Sequence, residues 1–159
     1  SIRIEDRKVV PAAMMRQENT NHPAVAIELP DGLILTGKTS DLLGASAAAL
    51  LNALKTLGGI EHNRHLVSPA SIEPIQTLKT DYLGSRNPRL HTDEILIALS
   101  ASAADDANAR LALSQLPKLK GCEVHSTVIL SSVDENTFRK LGMHLTCEPV
   151  YETNKIFHR

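Results

Sequence analysis

One stretch near the start of the chain matches a phosphate-binding motif. Residues 32–39 read GLILTGKT and satisfy the P-loop pattern, in which a glycine-rich loop wraps a phosphate with its backbone N–H groups. The four residues between the two glycines are β-formers, however, and Asp31-Gly32 suits the tight turn of a β-hairpin. We therefore interpret the match as a strand that ends at a helix N-terminus, where anions bind readily. The candidate anion-binding residues at that end are Lys38, Thr39 and Ser40.

Two cysteine–histidine pairs have the spacing of zinc ligands. They are Cys122-x-x-His125 and His144-x-x-Cys147, and four such side chains would suit a structural zinc site. Both pairs fall within predicted strands, however, and residues three apart on a strand point to opposite faces of the sheet. We therefore predict buried cysteines and a histidine within a strand, and no metal site.

Histidine, serine and acidic residues in the second half of the chain could form an acid–base or nucleophilic site. Residues 91–94 (His-Thr-Asp-Glu) precede one predicted buried strand, and residues 125–127 (His-Ser-Thr) lie in the next, with Asp134 further on. The sequence contains no Gly-x-Ser-x-Gly motif, and polar residues at strand ends also bond to the backbone. Both interpretations stay open. The candidates kept from this group are Asp93, Glu94 and His125.

The composition limits the kind of protein that can carry these residues. The chain has 159 residues, a formal net charge of −1 and 3% aromatic residues, so we expect one domain with a substantial core. Interspersed charges and scarce aromatic residues argue against nucleic-acid binding, and no stretch is long or apolar enough to span a membrane. Two cysteines are too few for a disulfide scaffold, so we expect a reducing, cytoplasmic location. No cofactor is predicted.

The segment at residues 23–60 organises the predicted fold. Two apolar runs, at residues 24–29 and 33–36, flank the turn at Asp31-Gly32 and predict a β-hairpin. Capping side chains follow, and then an alanine- and leucine-rich run that ends at two glycines predicts a helix buried on most sides. A short helix and a linker are predicted for residues 1–22.

Strands and helices are predicted to alternate after the hairpin. The strands are expected at residues 65–67, 94–100, 124–130 and 144–148, and the helices at 71–82, after Asp105 or Asp106, and from Ser132. The run at 94–100 is apolar throughout, as expected of a strand buried on both faces, and Ser132 and Glu135 match a capping box. This order predicts a three-layer α/β/α sandwich whose mixed sheet is mostly parallel, with one antiparallel strand from the hairpin. We assign residues 23–150 to this domain and 151–159 to a tail.

The chain resembles one bacterial family over nearly its whole length. It is similar to the C-terminal part of the family catalogued as domain of unknown function 1846 in four stretches: DGLILTGKTSDLLGASAAALLNAL, LHTDEILIALS, GCEVHSTVILSSVDE and LGMHLTCEPVY. Members of that family are much longer and have no assigned activity. The resemblance therefore implies that this chain, which begins with Ser1 and not with methionine, is the terminal domain of a longer protein.

A more distant resemblance concerns the architecture. The hairpin and the alanine-rich helix resemble the opening of the cytidine-deaminase fold, in which [His/Cys]-Ala-Glu starts that helix and Ser-Pro-Cys-x-x-Cys starts a later one. In this chain, residues 44–46 (Gly-Ala-Ser) and 68–73 (Ser-Pro-Ala-Ser-Ile-Glu) stand at those places. Gly44 and Ala70 cannot bind zinc, and Ser46 replaces the glutamate that would move protons. The resemblance implies a deaminase-like frame without the activity of a zinc-dependent deaminase.

We expect an auxiliary domain that binds a small anion or assembles subunits. In sheets of this kind, ligands collect beyond the carboxyl ends of the strands, where the next helices begin. The alternative is part of an enzyme whose active site is completed by an upstream domain. The expected partners are that upstream domain, further copies of the chain and a small anionic ligand. The candidate ligand-binding residues are Lys38, Thr39, Ser40, Ser46, Ser68, Ser71, Asp93, Glu94 and His125.

Overall fold

The β-hairpin predicted near the start of the chain is present in the computed structural model, which describes residues 7–152. Strands β1 (Ala24–Glu28) and β2 (Ile34–Lys38) pair antiparallel. In the turn between them, Gly32 has a φ angle of +91°, which glycine adopts without strain, and its N–H donates to the carbonyl of Leu29 at 2.8 Å. The prediction of a hairpin is confirmed.

Helix α1 (Val9–Thr20) precedes the hairpin and packs on it. Val9 and Ala13 are fully buried and pack against Ala26 of β1. The predicted short N-terminal helix is confirmed, and the part of the predicted N-terminal segment at residues 1–6 lies outside the described residues.

Helix α2 (Ala45–Leu57) follows the hairpin and is buried along most of its length. It packs so closely on β2 that a Cβ atom at Gly37 would lie 2.2 Å from the backbone nitrogen of Ala49. Glycine is required there because no side chain fits between the strand and the helix. Gly37, the second glycine of the P-loop pattern, therefore serves helix packing, and the residues before it are extended in β2, as we predicted.

The predicted strand at residues 94–100 is wrong, because this segment belongs to helix α4 (Thr92–Ser102). Ile95 and Leu99 are fully buried, whereas Ile97 between them is 69% exposed. On a strand these three side chains would point to the same face, whereas on a helix Ile95 and Leu99 lie one turn apart and Ile97 on the other side. A continuous apolar run does not by itself distinguish a buried strand from a helix.

The predicted strand at residues 65–67 is also wrong. Leu66 and Val67 are buried in the main core, but the segment pairs with no strand in the described part of the chain. Side-chain packing alone accounts for their burial.

The remaining elements are mostly helical. They are α3 (Pro69–Thr77), a π-helix (Leu78–Tyr82), α5 (Ala107–Leu113), a 3-10 helix (Leu116–Leu119), β3 (Glu123–Ser126), α6 (Ser132–Lys140) and β4 (His144–Cys147). The last two predicted strands exist but are shorter than predicted. Helix α6 is capped by Ser131 and not by Ser132, because the Ser131 hydroxyl accepts the N–H of Asp134 at 3.3 Å.

The four strands form one mixed sheet in the order β2-β1-β3-β4. Strand β1 pairs antiparallel with both β2 and β3, and β3 pairs parallel with β4. The α/β class with a mixed sheet is confirmed, but the prediction of a mostly parallel sheet is wrong because two predicted strands are not strands. Val25 and Ile27 of β1 lie in the main core with α2 and α4, whereas Ala26 packs against α1.

Within residues 7–152, no helix combines the length and the apolar character that crossing a membrane would require.

Candidate functional site

A cavity of about 490 Å³ lies at one end of the sheet. Its walls include Thr39, which follows β2, and Ser126 at the end of β3. The starts of three helices also line it: Ser46 in the first turn of α2, His91 before α4, and Ser131 before α6. The fold therefore brings strand ends and helix N-termini together, which is the arrangement that we expected to hold a ligand.

The N-terminus of α2 has no side-chain cap. Its N-cap residue is Gly44, and no side chain of the described residues accepts a hydrogen bond from the first turn. An α-helix leaves its first backbone N–H groups without intrahelical acceptors and carries a partial positive charge at that end. The start of α2 therefore presents donors and positive potential to the cavity.

Ser46 adds an unpartnered hydroxyl at the same place. The residue is 2% exposed and lines the cavity, and its Oγ has no hydrogen-bond partner among residues 7–152. A buried hydroxyl without a partner costs free energy because it has lost its bonds to water. An acceptor atom within hydrogen-bond distance of Oγ would remove that cost.

The N-termini of α4 and α6 are satisfied by the protein itself. Oδ1 of Asp134 accepts the backbone N–H of Thr92 at 2.9 Å and the Thr92 hydroxyl at 2.8 Å. Ser131 caps α6. Of the three helix starts at the cavity, that of α2 is thus the one with no internal acceptor in the described structure.

A loop with two arginines forms another wall of the cavity. Arg86 is exposed and Arg89 is half-buried, and both line the cavity. The loop is fixed to the segment before α2, because Arg89 Nε donates to the carbonyl of Ser40 and the N–H of Gly44 donates to the carbonyl of Leu90 at 3.2 Å.

The acidic residues of the cavity differ in their surroundings. Asp134 is buried and bonded to Thr92, whereas Glu152 is exposed. The formal charges on the lining therefore balance, and the local position of each charge decides where an anion can bind.

Lys79 and Glu94 fix the arginine loop by hydrogen bonds. Lys79 is buried, and its Nζ donates to the carbonyl of Arg89 and to Oε1 of Glu94, the latter at 2.8 Å. Burial raises the pKa of Glu94, but the hydrogen bonds from Lys79 and from the N–H of His91, and the charges of both residues, outweigh it and place the pKa below its ordinary value. Glu94 thus stays a carboxylate that fixes the loop.

His125 lies away from the cavity, in a hydrogen-bonded network between β3 and β4. Its Nδ1 is 2.7 Å from Oγ1 of Thr146 and its Nε2 is 2.8 Å from Oε2 of Glu148. Arg7 donates to Thr146 and forms an ion pair with Glu123. Burial lowers the pKa of His125, the hydrogen bond and charge of Glu148 oppose this effect, and the charge of Arg7 adds to the lowering.

The four residues with zinc-like spacing lie on or directly before the parallel strands β3 and β4. Cys122 is buried in the main core, and both ring nitrogens of His125 already have partners. Burial raises the pKa of the Cys122 and Cys147 thiols. Among residues 7–152, no group of three or more His, Cys, Asp or Glu side chains could hold a metal ion.

The predicted site residues do not form one cluster. Thr39 and Ser46 line the cavity at the start of α2, and Ser68 and Ser71 line a second cavity of about 480 Å³. The predicted residues that line neither cavity are Lys38, Ser40, Asp93, Glu94 and His125.

Sequence reasoning missed most of the cavity lining. The residues that were missed include Arg86, Asn87 and Arg89, whereas His91, Ser126 and Asp134 were considered for an acid–base site and not kept. The available signal was the segment at residues 84–88, which is rich in loop-forming residues, because Arg86 lies within it and Arg89 follows directly.

The fold and this geometry define a mixed α/β domain with a cavity at a helix N-terminus that has no side-chain cap. The chain belongs to the family described as domain of unknown function DUF1846, C-terminal, whose model matches residues 5–157. As the resemblance implied, the family is one of unknown function.

Similar proteins are UPF0371 proteins of Corynebacterium urealyticum, Corynebacterium aurimucosum and Streptococcus thermophilus, which are 60%, 63% and 52% identical to this chain. The alignments cover 98%, 94% and 98% of this chain but only 31%, 30% and 31% of those relatives. The chain thus spans about a third of the length of the curated relatives that it matches.

Proposed function

We propose that this domain binds a small anion at the N-terminus of α2. The observation that carries the proposal is Ser46, a buried residue of the cavity wall whose hydroxyl has no partner among residues 7–152. The uncapped backbone N–H groups of the same turn supply further donors. An anion at this position would satisfy the hydroxyl and the helix end together.

The charges around the cavity support an anion at α2 and not elsewhere. Asp134 already occupies the start of α4 and would repel a second anion there. Arg86 and Arg89 add positive charge on another wall. Glu152 is exposed, so water and salt screen its charge.

Calorimetric titration with inorganic phosphate in Tris-chloride buffer tests the proposal. We expect Ser46→Ala to bind phosphate about tenfold or more weakly than the wild type, because a hydrogen bond to a charged group contributes roughly 1.5–3 kcal/mol. Ser100→Ala, an exposed serine of α4, is the matched control and should bind like the wild type.

The same variant carries its own control for folding. Because the Ser46 hydroxyl has no partner in the described structure, its removal should leave the free energy of unfolding unchanged or raise it by about 1 kcal/mol. A wild type that binds no phosphate, or a Ser46→Ala variant that binds it equally well, contradicts the proposal.

We also propose a three-layer arrangement related to the cytidine-deaminase fold. In support, α1 and α2 contact different residues of β1, and the hairpin leads directly into the alanine-rich helix. Residues 68–73 begin α3 as the resemblance requires, although the segment directly before them, residues 60–67, forms no strand in the described structure. An experimental structure with Gly44 and Ala70 at opposite ends of the molecule would contradict this relationship.

A second candidate function is part of an enzyme whose site is completed by the upstream part of the family proteins. It is favoured by the exposed apolar side chains of Ile129 in the cavity wall and of Val150 and Tyr151, which directly precede the lining residue Glu152, and by the relatives' additional length. Hydrolysis of a phosphate ester by a full-length family protein, but not by this domain, would support it; equal inactivity of both would not.

Self-association and a cytoplasmic location stay predictions. Light scattering of the chain at increasing concentration tests the first, and a monomer at every concentration would exclude it.

A further inference from the structure

We infer that the ligand of this cavity is a phosphate monoester of a compact organic molecule, such as a sugar or a nucleoside. Its phosphate would lie at the N-terminus of α2, and its organic part against residues 128–130. This inference rests on the proposed function, because it requires an anion beside Ser46.

The cavity is larger than an inorganic anion needs. Its volume of about 490 Å³ falls within the roughly 300–1,000 Å³ that is usual for small-molecule pockets. A phosphate ion has only five heavy atoms, and the start of α2 forms only one wall of the cavity. The rest of the volume is therefore available to a larger group attached to the anion.

Another wall is apolar and well fixed. Val128, Ile129 and Leu130 follow β3 and line the cavity. The backbone N–H of Ile129 donates to the carbonyl of Val150 at 2.8 Å, and the Ser126 hydroxyl bonds to both backbone groups of Val128. Because three of the backbone groups of this wall have partners within the protein and its side chains are apolar, the wall suits the carbon skeleton of a ligand.

The donors at α2 suit a phosphate better than a carboxylate. The first turn of the helix presents up to three backbone N–H groups, from Ala45 to Ala47, without a side-chain cap, and the Ser46 hydroxyl is a further hydrogen-bonding group. A terminal phosphate ester has three acceptor oxygens and a charge of about −1.5 to −2, so it can use more of these donors than a carboxylate with two oxygens.

Titration with matched probes tests the inference. The probes are inorganic phosphate, glucose 6-phosphate, adenosine 5′-monophosphate, glucose and adenosine. We expect at least one of the two esters to bind about tenfold or more tightly than inorganic phosphate, and glucose and adenosine to show no measurable binding. The sugar and nucleoside probes also distinguish the two kinds of organic group.

Two isoleucine variants separate the organic part from the phosphate. Ile129→Ser should weaken binding of the preferred ester about three- to tenfold, because apolar contact is lost, while inorganic phosphate binds within about twofold of the wild type. Ile97→Ser, whose side chain is 69% exposed on α4, is the matched control and should change neither. Thermal unfolding of each variant verifies that it folds.

The outcomes distinguish this inference from the proposed function. If inorganic phosphate binds as tightly as both esters, or if Ile129→Ser weakens phosphate and ester equally, the inference is wrong and the proposed function stands. If neither phosphate nor ester binds, both are wrong. Binding of glucose or adenosine as tight as that of its ester would also overturn the assignment of the phosphate.

Discussion

His125 is a buried histidine whose hydrogen bonds define its protonation state. A carboxylate can only accept, so Nε2 donates to Glu148 and Nδ1 accepts the hydroxyl proton of Thr146 in the neutral ring. The Thr146 hydroxyl oxygen accepts in turn from Arg7. Every donor in this network then faces an acceptor. The lowered pKa of His125 agrees with a neutral ring.

The lowered pKa of His125 makes stability depend on pH. The unfolded chain takes up a proton on this ring near pH 6.5, while the folded protein resists it to lower pH. Its contribution is therefore fully present above pH 6.5 and is lost as the pH falls through the folded-state pKa. We expect the free energy of unfolding to fall more steeply between pH 7 and pH 5 for the wild type than for His125→Gln.

Denaturant unfolding at several pH values measures this difference. His65→Gln, which replaces an exposed histidine, is the matched control and should follow the wild-type curve. Parallel curves for the wild type and His125→Gln would show that His125 titrates alike in both states.

At the scale of elements, the contact between β2 and α2 determines which glycine can be replaced by alanine without loss of stability. Gly37→Ala would place its Cβ 2.2 Å from the backbone nitrogen of Ala49, so the helix would have to move. We expect the free energy of unfolding to fall by about 3 kcal/mol. At Gly44, a Cβ would meet only the Leu90 carbonyl oxygen at 3.7 Å.

Gly44→Ala is therefore the matched control, with a change in unfolding free energy within about 1 kcal/mol. Chemical denaturation of the two variants measures both values. A Gly37→Ala variant as stable as Gly44→Ala would mean that α2 shifts without loss.

Local signals predicted the elements whose ends are marked in the sequence. The Asp31-Gly32 turn marked the hairpin, and Gly58-Gly59 marked the end of α2. Helix α4 was missed because an apolar run carries no period. The exposure of Ile97 distinguishes the helix from a strand, but this exposure depends on how the helix packs in the folded protein.

Only those residues of the candidate site that lie where a strand ends or a helix begins could be predicted from the sequence. Thr39 was predicted from its place between a strand and a helix, and Ser46 from the resemblance of residues 44–46 to the deaminase motif. Arg86 and Arg89 were missed and Asp134 was not kept, because such residues reach the cavity through tertiary contacts, as in the bond between Asp134 and Thr92, which lies 42 residues away. No local pattern records such a contact.

At the scale of the whole molecule, α1 is joined to the sheet by a smaller core than the other helices. Val9, Ala13 and Ala26 form a separate cluster, whereas α2 and α4 share the main core. Burial of few apolar side chains favours local opening.

We therefore expect native-state hydrogen exchange to show α1 opening at a lower free energy than β1 and α2. Arg7→Ala should widen the difference, because Arg7 links the start of α1 to Thr146 on β4; Arg16→Ala, an exposed residue of α1, should not. Equal protection of α1 and β1 would contradict this expectation.

The buried Lys79 has a kinetic consequence for any solute that uses the cavity. Because its bonds to Glu94 and to the Arg89 carbonyl fix the arginine loop, that wall does not have to swing aside. The exposed lining residues Arg86, Ile129, Ser131 and Glu152 leave a route to bulk water. We therefore expect entry and departure to be limited by diffusion and by loss of hydration water, and not by motion of the backbone.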